Sequence, residues 1–143
     1  MNAEKPRAVL VTGARGFIGR AVQKLLQREG YRVLGLDETM PAEATSNGLD
    51  IQLDITNIKQ LQQLFEAETI GGIIHLAAIL PTAARQQPLR ATEVNVVGSL
   101  NLLEMARQFG VQRVVFGSSL SVYGTYHAER EVAEADRAAP EDL

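Results

Sequence analysis

The sequence contains no cysteine and only two histidines. Without cysteine, neither a disulfide framework nor a thiolate metal site can form, and two separated histidines do not make a metal cluster. We therefore expect no metal site. The absence of cysteine also fits a reducing compartment, and we expect a cytoplasmic protein.

A strong charge of one sign and a long apolar run are lacking as well. The chain has 14 basic and 17 acidic residues and a formal net charge of -3, too weak a field to attract nucleic acid or an anionic membrane. No apolar run approaches the length that a bilayer demands, and the first residues do not resemble a secretory signal. These absences argue against nucleic-acid and membrane partners.

What is present is an alternation of strand-like and helix-like segments. The length of 143 residues, with 45% hydrophobic content, predicts one domain over residues 1–143. Short apolar runs predict strands at residues 8–11, 32–36, 49–53, 73–76 and 111–116. Apolar residues at helical spacing predict helices over 18–26, 58–65 and 91–109, with loops at 38–48 and 81–88. Strands joined by helices must pair in parallel, so we predict a doubly wound α/β sheet.

The first connection, Thr12-Gly13-Ala14-Arg15-Gly16-Phe17-Ile18-Gly19, carries three glycines between a predicted strand and a predicted helix. Gly13 permits a tight turn, Gly16 lets a pyrophosphate approach the backbone, and Gly19 lets helix and strand pack closely. The amides of the following helix N-terminus would face the anion. Glycine turns of this kind also occur without a ligand, so the loop predicts a dinucleotide site only in context.

That context is Asp37, at the end of the second predicted strand. A dinucleotide fold places there the acid that hydrogen-bonds a ribose 2′-hydroxyl, although a carboxylate at this point could equally begin a solvated loop. With Glu38 beside it, Asp37 would repel a 2′-phosphate, which favours NAD over NADP. Arg15 is a counterargument, because its guanidinium could pair with such a phosphate.

The Gly-x-x-Gly-x-x-Gly spacing resembles that of extended short-chain dehydrogenases, the NAD-dependent epimerase/dehydratase family. Further segments are similar to the family's motifs in the family's order: Leu53-Asp54-Ile55, His75-Leu76-Ala77-Ala78, Asn95-Val96-Val97-Gly98, and Phe116-Gly117-Ser118-Ser119-Leu120-Ser121-Val122-Tyr123-Gly124. The resemblance extends from about Arg7 to Leu143, essentially the whole chain. It implies a Rossmann-type sheet that binds NAD.

The resemblance also implies roles for individual residues. Asp54 would meet the adenine amino group, Ile55 would help to hold the ring, and Asn95 would support the site. Ser119 would be the catalytic serine, hydrogen-bonded to the substrate oxygen that is oxidised. The implied cofactor-binding residues are Gly13, Arg15, Gly16, Phe17, Ile18, Gly19, Asp37, Asp54, Ile55, Leu76, Ala77, Ala78, Asn95 and Ser118.

Simpler explanations exist for several of these residues. Asp54 could cap a turn, and the serines could be ordinary turn hydroxyls after a strand. His75 fits a hydrogen-bonded core histidine better than a ligand or base, and we assign it no catalysis. Asn95 lies among valines, so its amide needs polar partners if it is buried.

The family's chemistry also needs a tyrosine and a lysine four residues later that lowers the tyrosine pKa. The last lysine here is Lys59, and Tyr126 with Arg130 follows the serines too closely to lie on a separate helix. We therefore expect the chain to stop before the catalytic helix and the substrate lobe. It would be the NAD-binding portion of a nucleotide-sugar epimerase, dehydratase or dehydrogenase. The alternative is a non-catalytic module that binds or senses a dinucleotide.

In the family, the missing helix packs beside the long helix in a dimer. We accordingly expect a homodimer, or self-association through apolar residues of the long helix that lose their cover, namely some of Val94, Val97, Leu102, Met105 and their apolar neighbours.

Overall fold

A parallel β-sheet forms the centre of the molecule. A computed structural model describes residues 7–39, 49–128 and 131–141. Within them the sheet has five strands: β1 (Ala8–Thr12), β2 (Arg32–Asp37), β3 (Leu49–Gln52), β4 (Ile70–His75) and β5 (Arg113–Phe116). All pairs are parallel, in the order β3-β2-β1-β4-β5. The predicted doubly wound α/β fold is confirmed.

The strand order changes direction at β1, where the chain crosses from β3 to β4 on the other side of the first strand. In an open α/β sheet, the loops after the two central strands leave in opposite directions at such a point, and a crevice forms beyond the carboxyl ends of the strands. The register pairs Leu10 with Leu34 of β2 and with Ile73 of β4, so the two neighbours of β1 are aligned across the sheet.

Helices cover the sheet. The described helical segments are α1 (Phe17–Arg28), α2 (Ile58–Ala67), α3 (Pro81–Gln86), α4 (Pro88–Thr92), a π-helical turn (Glu93–Gly98), α5 (Ser99–Gln108) and a 3-10 segment (Leu120–Ala128). Asn57 caps α2, since its side chain accepts a hydrogen bond from the Gln60 amide at 3.2 Å. None of these helices is long and apolar enough to cross a membrane, as far as the structure describes the chain.

The main core lies between the sheet and the pair α2 and α5. Leu61 and Phe65 of α2, Leu102 and Met105 of α5, and Leu10 of β1 belong to one buried cluster. Val11 and Val33 are also buried but belong to no part of that cluster. Neighbouring residues of a strand point to opposite faces, which explains the separation. The sheet therefore buries side chains on both faces.

Two sequence predictions of local structure are wrong. Residues 81–88, predicted as a loop, contain α3 and the start of α4, because Pro81 and Pro88 each occupy a first helical position, where proline costs no hydrogen bond. Strand β4 begins at Ile70 and includes Gly71 and Gly72, whereas the predicted strand begins at residue 73. Gly72 pairs with Arg113 of β5, so tertiary pairing overrides its poor strand propensity.

The long helix is present from α4 through α5. Three of the four apolar residues that were candidates for exposure on it are buried. Val94, Leu102 and Met105 are buried against the sheet, and of the four named residues only Val97 is exposed. The π-helical turn adds a residue to the helical repeat and shifts which positions face outward. The exposed apolar stripe consists of Val96, Val97, Leu100 and Leu103.

Candidate active site: a cleft at the carboxyl edge of the sheet

A cleft of about 570 Å³ opens at the point where the strand order changes direction. It brings together most residues that the sequence singled out: Gly13, Gly16, Phe17, Ile18, Gly19, Asp37, Asp54, Ile55, Leu76, Ala77, Ala78, Ser118 and Ser119. Arg15 and Asn95 are not among its lining residues. The cleft reaches from the glycine loop on one side to the serines after β5 on the other.

The three glycines of the first loop have different surroundings. Gly13 has a φ of 63°, and a Cβ there would lie 2.8 Å from backbone atoms of Leu76 and Ala77. A Cβ on Gly19 would overlap the carbonyl oxygen of Gly13. A Cβ on Gly16 would meet only that same oxygen, at 3.2 Å, and otherwise open space. The fold therefore requires Gly13 and Gly19, whereas Gly16 leaves free space in the cleft.

Asp37 ends β2 beside the glycine loop. Its Oδ2 atom accepts a hydrogen bond from the Arg15 amide at 3.0 Å, and its Oδ1 atom accepts from the Thr39 hydroxyl at 3.1 Å. The Arg15 guanidinium donates to the Thr39 hydroxyl at 3.3 Å. The carboxylate is thus fixed at the cleft wall by the loop's own backbone, and Arg15 contributes its amide to that arrangement.

Asp54 lines the same end of the cleft and is tied to a residue that the sequence did not indicate. Its Oδ1 atom accepts from the Thr56 amide at 2.9 Å and the Thr56 hydroxyl at 2.8 Å, while Oδ2 accepts from the Arg90 guanidinium of α4. Arg90 also reaches Glu38, at 3.5 Å. Burial alone would raise the pKa of Asp54, but the hydrogen bonds from Thr56 and Arg90 outweigh burial and lower the pKa below 3.8.

The segment after β4 forms the floor of the cleft and is held from the long helix. The Asn95 side chain accepts from the Ile79 amide at 2.8 Å and donates to the Ile79 carbonyl at 3.0 Å. Asn95 therefore has the polar partners that its position among valines demanded. It contacts the backbone of a cleft residue and supports the floor from behind.

A second group of hydrogen bonds holds the ends of β1 and β4 together. The Thr12 hydroxyl lies 3.1 Å from the Leu76 amide, 3.1 Å from the Ala77 amide and 2.6 Å from Nδ1 of His75. On the other side of the ring, Nε2 lies 2.9 Å from the Ser99 hydroxyl. His75 is buried and its ring lies 5.4 Å from that of Phe116, so burial lowers its pKa. The core-histidine interpretation is consistent with this geometry.

The serine motif after β5 borders the opposite side of the cleft from the glycine loop. Ser118 and Ser119 both line it, together with Gly117. The Ser119 hydroxyl accepts from the Ser121 amide at 3.2 Å, which leaves its proton available to donate into the cleft. This hydrogen bond is the ordinary turn role of a serine hydroxyl after a strand, and it does not prevent a contact with a ligand.

Sequence reasoning missed part of the site. Leu80, Val94 and Gly117 also line the cleft, and Arg90 braces its wall. Glu38, which the sequence indicated as a second carboxylate beside Asp37, lines the cleft as well. Nothing in the sequence indicated that Arg90 belongs to the site, because Glu38 and Asp54 are distant in the chain and only the fold brings them to its guanidinium.

Comparison with known proteins agrees with this geometry. UDP-glucuronate 4-epimerase of Thermodesulfobacterium geofontis is 38% identical over 128 residues, which cover 80% of this chain and 40% of that protein. The structure of Thermus thermophilus UDP-glucose 4-epimerase in complex with NAD matches with a TM-score of 0.86 at 28% identity, over 94% of this chain and 45% of that one.

An enzyme with a different name matches about as well in structure. L-threonine dehydrogenase of Clostridium difficile has a TM-score of 0.84 at 25% identity, over 95% of this chain and 44% of that one. The chain thus spans less than half the length of each of these three proteins. Across residues 9–142 the sequence matches the profile described as the NAD dependent epimerase/dehydratase family, and the chain belongs to that family.

Proposed function

We propose that the cleft binds NAD, with the pyrophosphate at the glycine loop, the adenosine ribose at Asp37 and the adenine beside Asp54 and Ile55. The observation that carries this proposal is the open space over Gly16, where an added Cβ would meet only the Gly13 carbonyl oxygen, at 3.2 Å. Such a space lets a pyrophosphate approach the backbone amides. Leu76, Ala77 and Ala78 would line the cofactor farther along the cleft.

The charges at the ribose end support NAD over NADP. Asp37 and Glu38 both line the cleft, and two carboxylates would repel a 2′-phosphate. The Arg15 guanidinium contacts Thr39, close enough to Asp37 to remain a competing influence on this choice. A preference for NADP in the unmodified protein would assign cofactor selection to Arg15.

We further propose that the full-length protein acts on a nucleotide sugar by hydride transfer. Bound NAD would supply the hydride acceptor. Ser119 would donate a hydrogen bond to the substrate oxygen, because its hydroxyl lines the cleft and keeps its proton. The names of the similar proteins support this class: one is a UDP-glucuronate epimerase and another a UDP-glucose epimerase. A cytoplasmic location is part of the same proposal.

The second candidate is a non-catalytic module that binds or senses a dinucleotide. It needs only the glycine loop and the carboxylates Asp37 and Glu38, which the described residues already bring together in one cleft. Both candidates share the NAD site and differ in turnover.

Two measurements separate the candidates. Calorimetric titration with NAD and NADP tests the cofactor site, and we expect NAD to bind more tightly. An assay of NADH formation with UDP-glucose and UDP-glucuronate tests turnover, and we expect none from residues 1–143 alone. Measurable turnover would show that another residue serves as the base. The absence of any dinucleotide binding would remove both candidates.

We also propose that the exposed stripe of Val96, Val97, Leu100 and Leu103 mediates a homodimer. These side chains are between 45% and 59% exposed, and all four lie on the long helix. Leu100→Glu should weaken self-association about tenfold, as the loss of one buried leucine predicts. Leu25→Glu is the matched control, because Leu25 is equally exposed, at 59%, but lies on α1. Sedimentation over a concentration series measures both variants, and equal behaviour would refute the proposed surface.

A further inference from the structure

The direction of the hydrogen bonds around His75 follows from the groups that surround it. The Leu76 and Ala77 backbone N–H groups act only as donors, so the Thr12 hydroxyl oxygen accepts a hydrogen bond from each. The hydroxyl's own proton is then left for Nδ1 of His75, 2.6 Å away. Nδ1 must therefore carry no proton.

The far side of the ring fixes the other nitrogen independently. Ser99 has one hydroxyl proton, and the Asn95 carbonyl, 2.7 Å from its oxygen, can only accept. The Ser99 oxygen must then accept from Nε2 of His75, at 2.9 Å, which requires a proton on Nε2. Both ends of the chain of hydrogen bonds fix one neutral tautomer, and every donor in it has an acceptor.

We propose that His75, held as this tautomer, is a positioning residue that sets the cofactor-facing backbone at the point where the strand order changes direction. The inference rests on the proposed NAD site. Thr12 immediately precedes Gly13, and Leu76 and Ala77 line the cleft. His75 orients the Thr12 hydroxyl so that its oxygen faces these two amides. The ring also ties both strand ends to α5 through Ser99.

Burial supports this role. Thr12 and His75 are 0% and 3% exposed, so no water can replace a lost partner at low cost. If His75 could not accept, the Thr12 proton would be left without an acceptor, or the Thr12 side chain would turn and release the Ala77 amide, while the Leu76 amide would keep only its 3.3 Å contact with the Thr12 carbonyl oxygen. The floor and the glycine loop of the cleft would then move relative to each other. Burial lowers the pKa of His75, which keeps the ring neutral as the scheme requires.

Nitrogen NMR of the histidine rings tests the tautomer directly. The chain has only His75 and His127, so a protein labelled with ¹⁵N in its imidazoles gives two ring systems, which a His127→Gln variant assigns. At about pH 7 we expect His75 to show an unprotonated Nδ1 and a protonated Nε2. A proton on Nδ1, or a charged ring, would overturn the inference whether or not NAD binds.

Binding measurements test the positioning. His75→Leu keeps a side chain of similar size but removes the hydrogen-bond acceptor. We expect its Kd for NAD to rise about tenfold, as the loss of one buried hydrogen bond predicts. His75→Asn restores an acceptor near the Nδ1 position and should recover most of the affinity. His75→Gln, whose amide reaches the Nε2 position instead, should recover less. Thermal unfolding of each variant confirms that it is folded.

The outcomes are distinguishable. If the unmodified protein binds no NAD, the proposed function fails, and the NMR result still decides the hydrogen-bond scheme. If the unmodified protein and His75→Leu bind NAD equally, the inference alone fails. If His75→Leu does not fold, the affinities of His75→Asn and His75→Gln for NAD are compared instead. Equal affinities of these two variants would overturn the role assigned to Nδ1.

Discussion

The two ends of the cleft recognise a ligand by different physical means. At the glycine end, the wall is backbone, and what matters is the absence of side chains at Gly13, Gly16 and Gly19. At the acidic end, the wall is made of carboxylates, and Asp54 is held by an ion pair with Arg90. Recognition at the first end depends on shape, which salt and pH hardly affect. Recognition at the second end depends on charges, which salt screens and pH titrates.

The difference also bears on which end tolerates variation. A side chain added at the glycine end must displace either protein or ligand, because protein interiors have no spare volume. A charge removed at the acidic end leaves the shape intact and changes only the balance among Glu38, Asp54 and Arg90. We therefore expect large, salt-independent effects at one end and small, salt-dependent effects at the other.

The largest expected effect comes from Gly16→Val. The valine side chain would occupy the free space over Gly16 that the pyrophosphate needs, so the Kd for NAD should rise at least about 100-fold, or about 2.7 kcal/mol. Calorimetry at low and high salt should give the same loss, because the cause is steric.

A glycine variant elsewhere controls for a general loss of stability. Gly72→Ala lies in β4, where its Cβ would make an ordinary contact of 3.7 Å with the Arg113 carbonyl oxygen. We expect it to bind NAD like the unmodified protein. If Gly16→Val binds as well as Gly72→Ala does, the pyrophosphate does not lie at this loop and the contrast between the two ends disappears.

The glycine end could be predicted from the sequence because its signals are local. The turn at Gly13 and the spacing to Gly16 and Gly19 are properties of a few consecutive residues, and Asp37 ends an easily recognised strand. The doubly wound order followed from the alternation of strands and helices. The structure confirms this arrangement, and the binding roles stay predictions.

The parts that the sequence did not indicate depend on contacts between distant residues. Arg90 meets Asp54 only because α4 folds against the loop after β3. The sequence did not settle which apolar residues of the long helix face outward: of the four candidates only Val97 is exposed, together with its neighbours Val96, Leu100 and Leu103, and a π-helical turn shifts the helical repeat between them. Gly72 was misassigned because pairing with β5 outweighs glycine's weak strand propensity.

An intermediate effect is expected from Asp37→Ala. The loss of hydrogen bonds from the ribose hydroxyls to a carboxylate should weaken NAD binding about tenfold or more. NADP should lose less, because repulsion of its 2′-phosphate is relieved at the same time. The preference for NAD over NADP should therefore narrow, as measured by titrating both cofactors.

Glu38→Ala is the control for Asp37, because it removes the neighbouring carboxylate that also lines the cleft. Glu38 lies next to Arg90 and not to the Arg15 amide, so we expect a smaller change in cofactor preference. If Glu38→Ala narrows the preference more than Asp37→Ala, the ribose hydroxyls are held by Glu38.

The smallest effect, and the one that separates the two ends most sharply, is expected from Arg90→Ala. Removing the guanidinium leaves Asp54 and Glu38 uncompensated near a ligand that carries two phosphates, so NAD binding should weaken about threefold at low salt. At about 1 M salt the loss should vanish, since charges are then screened within about 3 Å. Arg107→Ala removes an exposed ion pair with Glu104 on α5 and should leave binding unchanged at either salt concentration.

The same variant should change how stability depends on pH. The folded-state pKa of Asp54 lies below 3.8, so its interactions stabilise the protein above about pH 4 and are lost as the pH falls through the folded pKa. Arg90→Ala should therefore lower the free energy of unfolding near neutral pH, and the deficit should shrink progressively as the pH falls and Asp54 of the unmodified protein becomes protonated. Because the two side chains are 30% and 34% exposed, solvent screening limits the deficit to about 1 kcal/mol or less. Urea unfolding at about pH 7 and about pH 3 measures it, and a deficit that grew in acid would mean that Arg90 stabilises the fold by packing and not by charge.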